Sequence, residues 1–262
     1  REPKFTPEKE YEFSAILNES QRAAIRFALS AEDVAIIHGP PGTGKTTTVV
    51  ELICQAVAQG QKVLACAPSN TAVDNMLERL VAARQNVVRI GHPARVNASL
   101  RDMTLDAQVE QHPIQEVVAD MRREIEQLFR NANRYTRSKP TRGFKQDLRS
   151  EARDLKSQVR TIERQAVNDV IDRADVILAT ATFDDDVLRD RRFDLVVIDE
   201  ACQATEPGTW SPLLRADRVI LAGDHCQLPP TVLSDEAAKK GLALSLLERL
   251  IQIYGVDINR RL

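Results

Sequence analysis

The glycine spacing within residues 34–48, Val-Ala-Ile-Ile-His-Gly-Pro-Pro-Gly-Thr-Gly-Lys-Thr-Thr-Thr, constrains this 262-residue chain more than any other stretch. Val34 to Ile37 form a short apolar, strand-like run that Gly39, Gly42 and Gly44 break, and a helical period starts at Lys45. Strand, glycine loop and helix in that order suit a triphosphate, whose oxygens must be wrapped by backbone N–H groups that side chains would otherwise block. Residues 39–46 match Gly-x-x-x-x-Gly-Lys-Thr at every fixed position. Gly39, Pro40, Pro41, Gly42, Thr43, Gly44, Lys45, Thr46 and Thr47 are therefore the expected nucleoside triphosphate contacts. Lys45 is expected on the β- and γ-phosphates and Thr46 on Mg²⁺, with the helix N-terminus facing the anion.

A hydrophobic share of 43% allows a full core, as one large α/β domain or two small ones. No run approaches the roughly 18–20 apolar residues of a membrane span, and the charged first ten residues are unlike a signal segment, so no membrane partner is expected. Cys54, Cys66, Cys202 and Cys226 are scattered, with no Cys-x-x-Cys pair and no histidine at ligand spacing. That pattern indicates neither a disulfide framework nor a zinc site, and it fits a reducing cytoplasm. With a net charge of −2, a nucleic-acid partner has to be met by a local patch.

Residues 1–13, with Pro3 and Pro7, read as an extended lead-in to a helix beginning at Asn18. Asn18-x-x-Gln21 has capping-box spacing, and Gln21 could equally present a donor and an acceptor to an adenine edge, so both roles stand open. Residues 62–67 form a second strand that delivers Ser69, Asn70 and Thr71 at its carboxyl end, where helix capping is the favoured role. Residues 87–90 and 175–180 read as further strands, and His92 is assigned no chemistry. Phe193-Asp-Leu-Val-Val-Ile-Asp-Glu is a buried parallel strand ending in two carboxylates, Asp199 for the Mg²⁺ shell and Glu200 for the attacking water. After a strand at 218–222, Pro229 and Pro230 stiffen a loop that would hold Gln227 near the γ-phosphate, and residues 237–254 read as one amphipathic helix.

Residues 107–173 differ in character. Ile114, Val117, Met121, Ile125 and Leu128 recur at three- and four-residue steps, as do Leu148, Ala152, Leu155, Val159, Ile162 and Ala166. Two such helices predict an antiparallel hairpin inserted between the two parts of the domain, 1–106 and 174–262. Residues 130–160 carry ten basic against three acidic side chains, so the hairpin end is cationic. Arg137, Lys139, Arg142 and Lys145 are candidate contacts to a polyanion, with a merely solvated face the competing reading.

The motifs at 38–46, 67–74 (Ala-Pro-Ser-Asn-Thr-Ala-Val-Asp), 197–201 (Val-Ile-Asp-Glu-Ala) and 223–230 (Gly-Asp-His-Cys-Gln-Leu-Pro-Pro) together resemble the superfamily 1B helicases. That group includes the nonsense-mediated-decay helicases, and its immunoglobulin mu-binding-protein-2 branch is the nearer. The resemblance implies a RecA-like P-loop α/β fold with a mainly parallel sheet, and 5′-to-3′ movement on single-stranded DNA or RNA driven by ATP and Mg²⁺. It implies Gln21 on adenine, catalytic roles for Lys45, Glu200 and Gln227, metal binding by Thr46 and Asp199, and nucleic-acid contacts from Ser69, Asn70 and Thr180. It further implies that the chain is a first motor lobe whose second RecA-like partner lobe lies elsewhere. No arginine falls in a motif that would set it over the γ-phosphate, and Arg260 and Arg261 are expected to be loosely held.

Overall fold

The computed structural model describes residues 2–133 and 144–262. The chain forms two compact units, one comprising the chain up to Thr104 together with Ala174–Leu262, the other Leu105–Arg173.

The larger unit is built on a seven-stranded sheet, all of whose pairings are parallel: β1 (Val34–His38), β2 (Val63–Ala67), β3 (Val87–Arg89), β4 (Val176–Thr180), β5 (Leu195–Ile198), β6 (Val219–Gly223) and β7 (Asn259–Arg261). Their spatial order is β3-β4-β2-β5-β6-β1-β7. The central strands are buried along their length because helices cover both faces, hence their continuous apolar runs. α1 (Glu19–Ser30), α2 (Lys45–Ala58) and α3 (Asn70–Ala82) follow the predicted pattern. Buried Ile25, Leu52, Ile53, Met76 and Leu77 from these helices join one core with the sheet. Each such side chain contributes about 1.5–3 kcal/mol on burial. A parallel sheet gathers the loops after its strands on one edge. The order β5-β6-β1 thus sets the ends of three distant segments side by side.

In the smaller unit α4 (Leu105–Glu110) precedes α5 (Ile114–Asn133) and α6 (Phe144–Arg173). Arg122 bonds Glu163 at 2.5 Å and Asn133 bonds Arg149 at 3.1 Å, so α5 and α6 run antiparallel. The stripe on α6 is as expected, with Ala152, Val159 and Ala166 buried. On α5 the buried positions are Val118 and Ala132, while Val117 is 51% exposed. Ile114, Val118, Met121, Ile125 and Leu128 then alternate four- and three-residue steps, the spacing that keeps a seam on one face of a helix.

Elsewhere in the larger unit come α7 (Asp185–Leu188), α8 (Glu206–Leu213), α9 (Asp235–Ala237) and α10 (Leu246–Tyr254). The single helix expected over 237–254 is broken, because Gly241 takes φ +103° and Ser245 caps a fresh start by accepting from Glu248 N. The other departure is β7. Arg260 and Arg261 are held in parallel register with Ile37 and His38, and the Arg260 guanidinium lies 3.8 Å from the Phe27 ring centre. Sheet pairing thus fixes a segment whose three residues carry no strand pattern of their own.

Candidate nucleotide site and the adjoining cleft

The phosphate loop leaves β1 at His38 and enters α2 at Lys45. Gly44 is the residue before the first helical turn, in the left-handed region at φ +78°, and it offers no side chain to cap the helix. The first amides of α2 therefore point outward without a capping partner, as an anion would require. A Cβ on Gly44 would lie 2.6 Å from Gln21 Nε2, so a side chain there would push the Gln21 amide from its place, in addition to straining the left-handed backbone.

Gln21 performs the capping role in full. Its Oε1 accepts from Asn18 N at 2.9 Å, while Asn18 Oδ1 accepts from Gln21 N at 2.9 Å. The remaining amide donates to Thr43 O at 2.8 Å, tying α1 to the loop. Thr43 closes the turn from inside, its hydroxyl donating to Pro40 O at 2.7 Å. The Thr47 hydroxyl accepts from Arg79 on α3 at 3.1 Å.

Lys45 is buried and places Nζ 2.9 Å from Glu200 Oε1. The Thr46 hydroxyl donates to Asp199 Oδ2 at 3.4 Å. Asp199 is 2% exposed, and burial pushes its carboxyl up to about 6, although the Lys45 ammonium pulls the other way. Two hard oxygen donors, a hydroxyl and a carboxylate, face each other here. They suit Mg²⁺, which keeps several waters and takes few protein ligands. Glu200 itself sits at φ +52°, a conformation uncommon for a non-glycine residue, and its N–H donates to Asp199 Oδ1 at 2.9 Å. Strain of this sort collects where a side chain has to be aimed.

One strand over, Gly223 O accepts from Gly39 N at 3.0 Å, joining the end of β6 to the start of the phosphate loop. Gln227 is brought to this edge but folds back, donating from Nε2 to Asp224 Oδ2 at 3.0 Å. Asp224 is buried. Burial alone would raise its carboxyl, but hydrogen bonds from His38, Gln227 and Cys226 N outweigh it and hold the group down to about 2.

The nucleic-acid candidates are brought together only in part. Ser69 caps α3, accepting from Ala72 N at 3.1 Å, and lines a cleft with Thr182, Gln203, Thr205, Leu228 and Pro229. Thr180 is the last residue of β4, and neither it nor Asn70 lines that cleft. Asn70 Oδ1 instead accepts from Arg89 Nη2 at 2.8 Å. Arg89 is fully buried, is held also by Asp74 and the Ile90 carbonyl, and was not singled out from the sequence. The available signal was a cation inside the apolar run Val-Val-Arg-Ile, with Asn70 and Asp74 one helical turn apart. Of the basic residues, Lys145 lies in the first turn of α6, and Arg137, Lys139 and Arg142 lie outside the described residues.

This fold and site define a RecA-like P-loop nucleotide-binding lobe. The chain belongs to the AAA domain family, whose model matches residues 16–235. It is 46% identical to the DNA-binding protein SMUBP-2 of Mesocricetus auratus over 95% of the chain and 25% of that protein. It is 37% identical to the DNA polymerase alpha-associated DNA helicase A of Schizosaccharomyces pombe over 93% of the chain and 36% of the relative. A regulator of nonsense transcripts 1 homolog of Arabidopsis thaliana is 36% identical over 90% of the chain and 18% of its own length. The chain thus spans a quarter of the first relative's length and about a third or less of the others'.

Proposed function

We propose that this chain is the nucleotide-binding motor lobe of a superfamily 1B helicase or translocase that moves 5′ to 3′ on single-stranded DNA or RNA, in a reducing cytoplasm. The observation that carries the reading is the convergence of Lys45, Thr46, Asp199, Glu200 and Gln227 on the shared edge of β1, β5 and β6. Bound ATP would supply the scissile phosphoanhydride and Mg²⁺ the charge that offsets its oxygens.

Gly39 to Thr46 would hold the phosphates through backbone amides, and Lys45 through its ammonium. Thr46 and Asp199 would hold the metal. Glu200, released from Lys45, would orient or deprotonate a water, and Gln227, released from Asp224, would report the γ-phosphate. Gln21 would keep its cap and offer the adenine edge what remains. Ser69, Asn70 and Thr180, at the carboxyl ends of β2 and β4, would contact the strand. Aromatic residues make up only 4% of the chain, which favours backbone contacts over base stacking.

No arginine of the chain falls in a sequence motif that would set it over the γ-phosphate. That group is worth roughly 10³–10⁵ in turnover where it acts. Supplied by a second RecA-like lobe, it would make hydrolysis depend on lobe closure. The test compares ATP hydrolysis by this chain with that of the protein extended through that lobe, each with and without single-stranded DNA and RNA. Slow hydrolysis by the chain and nucleic-acid-stimulated hydrolysis by the longer protein are expected. Equal stimulated rates refute the account, and nucleotide binding with no stimulation in either favours an ATP-gated binding module.

A further inference from the structure

From the groups that converge behind the phosphate loop, we infer a transition-metal site formed by His38, Asp224, His225 and Cys226, suited to Zn²⁺ and distinct from the Mg²⁺ position. One donor atom from each of the four lies within 4.8 Å of all the others. His38 is the last residue of β1, and the other three begin the loop after β6. Their meeting depends on β1 and β6 being neighbours in the sheet.

The donor set is chemically selective. Two imidazoles, a thiol and a carboxylate match the nitrogen, sulfur and oxygen ligands of zinc, whereas Mg²⁺ takes oxygen alone. Bonds of about 2.0–2.3 Å at tetrahedral angles put donor atoms about 3.3–3.6 Å apart. His38 Nε2 and Asp224 Oδ1 are 3.0 Å apart as a hydrogen bond, which the ion would replace, with the imidazole proton moving to Nδ1 as the side chains rotate to the wider spacing.

Two further observations point to a ligand. His225 Nδ1 is shielded from solvent and has no hydrogen-bond partner, an unusual cost for a buried polar atom. The His38 and His225 rings lie 4.6 Å apart, although neither is paired with the other. Cys226 is an exposed free thiol beside them. Metal binding would convert its S–H to a zinc-bound thiolate, with the proton released to solvent.

Such a site would act on the same loop that carries Gln227. In the metal-free arrangement Asp224 accepts from Gln227 Nε2 and Cys226 N. Coordination would draw the carboxylate onto the ion and pin the loop to the root of the phosphate loop. The consequence is reversible inhibition of turnover by Zn²⁺. This regulatory half rests on the function proposed above, whereas the binding half does not.

The chain is titrated without nucleotide or Mg²⁺, using Co²⁺ as a spectroscopic stand-in and then Zn²⁺ in competition with a chromophoric chelator. One equivalent of Co²⁺ should give thiolate-to-metal charge-transfer absorption that Zn²⁺ displaces. Cys226→Ser should abolish that band and weaken Zn²⁺ at least about tenfold, and His225→Ala should weaken it similarly. Cys54→Ser should change nothing. Bound Zn²⁺ should also protect Cys226 from alkylation. Absence of the band, or a Cys226→Ser protein that binds Zn²⁺ as wild type does, overturns the site. For the extended protein, Zn²⁺ should inhibit nucleic-acid-stimulated hydrolysis in wild type, with chelator reversal, and not in Cys226→Ser. Binding without that difference overturns the regulatory role alone.

Discussion

Substituting Lys45 and Glu200 singly and together tests whether the buried pair at the loop is a latch that nucleotide must open. Lys45 is 8% exposed, and the Glu200 carboxylate 2.9 Å away neutralises it in the free protein. Lys45→Ala removes charge-assisted hydrogen bonds to the phosphates, worth about 1.5–3 kcal/mol, or roughly 10- to 150-fold in affinity. It also leaves Glu200 facing Asp199 with no cation between them, so thermal unfolding must be followed alongside. Glu200→Gln acts in the opposite direction. The amide no longer competes for the ammonium, so affinity should stay within about threefold of wild type or tighten. In a Lys45→Ala background the same change should no longer tighten binding, a coupling of about 1 kcal/mol. The assay is titration of a fluorescent ATP analogue with Mg²⁺ at fixed salt, and hydrolysis by the extended protein should vanish in Glu200→Gln. Affinity for Lys45→Ala within about threefold of wild type, with the fold intact, would refute the phosphate cradle itself.

Gly44→Ala combines a left-handed backbone with the clash against Gln21 Nε2 and should destabilise the protein by about 1–3 kcal/mol. Gly42→Ala, at φ +80° with nothing within 4 Å, should cost only the backbone part, and equal losses in urea unfolding would remove the steric argument. Hydrogen bonds from Ser211 and Arg215 hold the Asp185 carboxyl below its ordinary 3.8, so its stabilising contribution is present above that value and is lost as pH falls further. Carboxyl-carbon NMR should show Arg215→Gln raising the Asp185 midpoint, and an unmoved midpoint would refute the cause. Burial lifts the Cys54 and Cys66 thiols to about 11 and about 12, so mass spectrometry after brief alkylation at pH 8 should find exposed Cys226 modified and those two intact. Reversing Arg137, Lys139, Arg142 and Lys145 to Glu should weaken single-strand binding and flatten its salt dependence while sparing ATP, and an unaltered salt slope would favour a solvated face.

The sequence by itself determined the features whose cause is local. Gly42 and Gly44 announce a phosphate loop because few other residues permit their left-handed backbone, and Gly39 because a Cβ there would meet Lys45. The apolar run before Asp199 announces a buried strand, and the heptad steps of the insertion announce a pair of packed helices. Asn18 and Gln21 declare their cap within three residues of each other. Tertiary structure decided whatever depends on strand order. It added β7, whose residues gain strand geometry only by pairing with β1, and it broke the last helix at Gly241 and Ser245. It brought Arg89 under Asn70, and it folded Glu200 onto Lys45 and Gln227 onto Asp224. It also gathered His38 with Asp224, His225 and Cys226 across 186 residues of chain. Local rules act through backbone sterics and periodicity over a few residues. The order β5-β6-β1 is instead set by which covered faces pack together, and no short stretch encodes that.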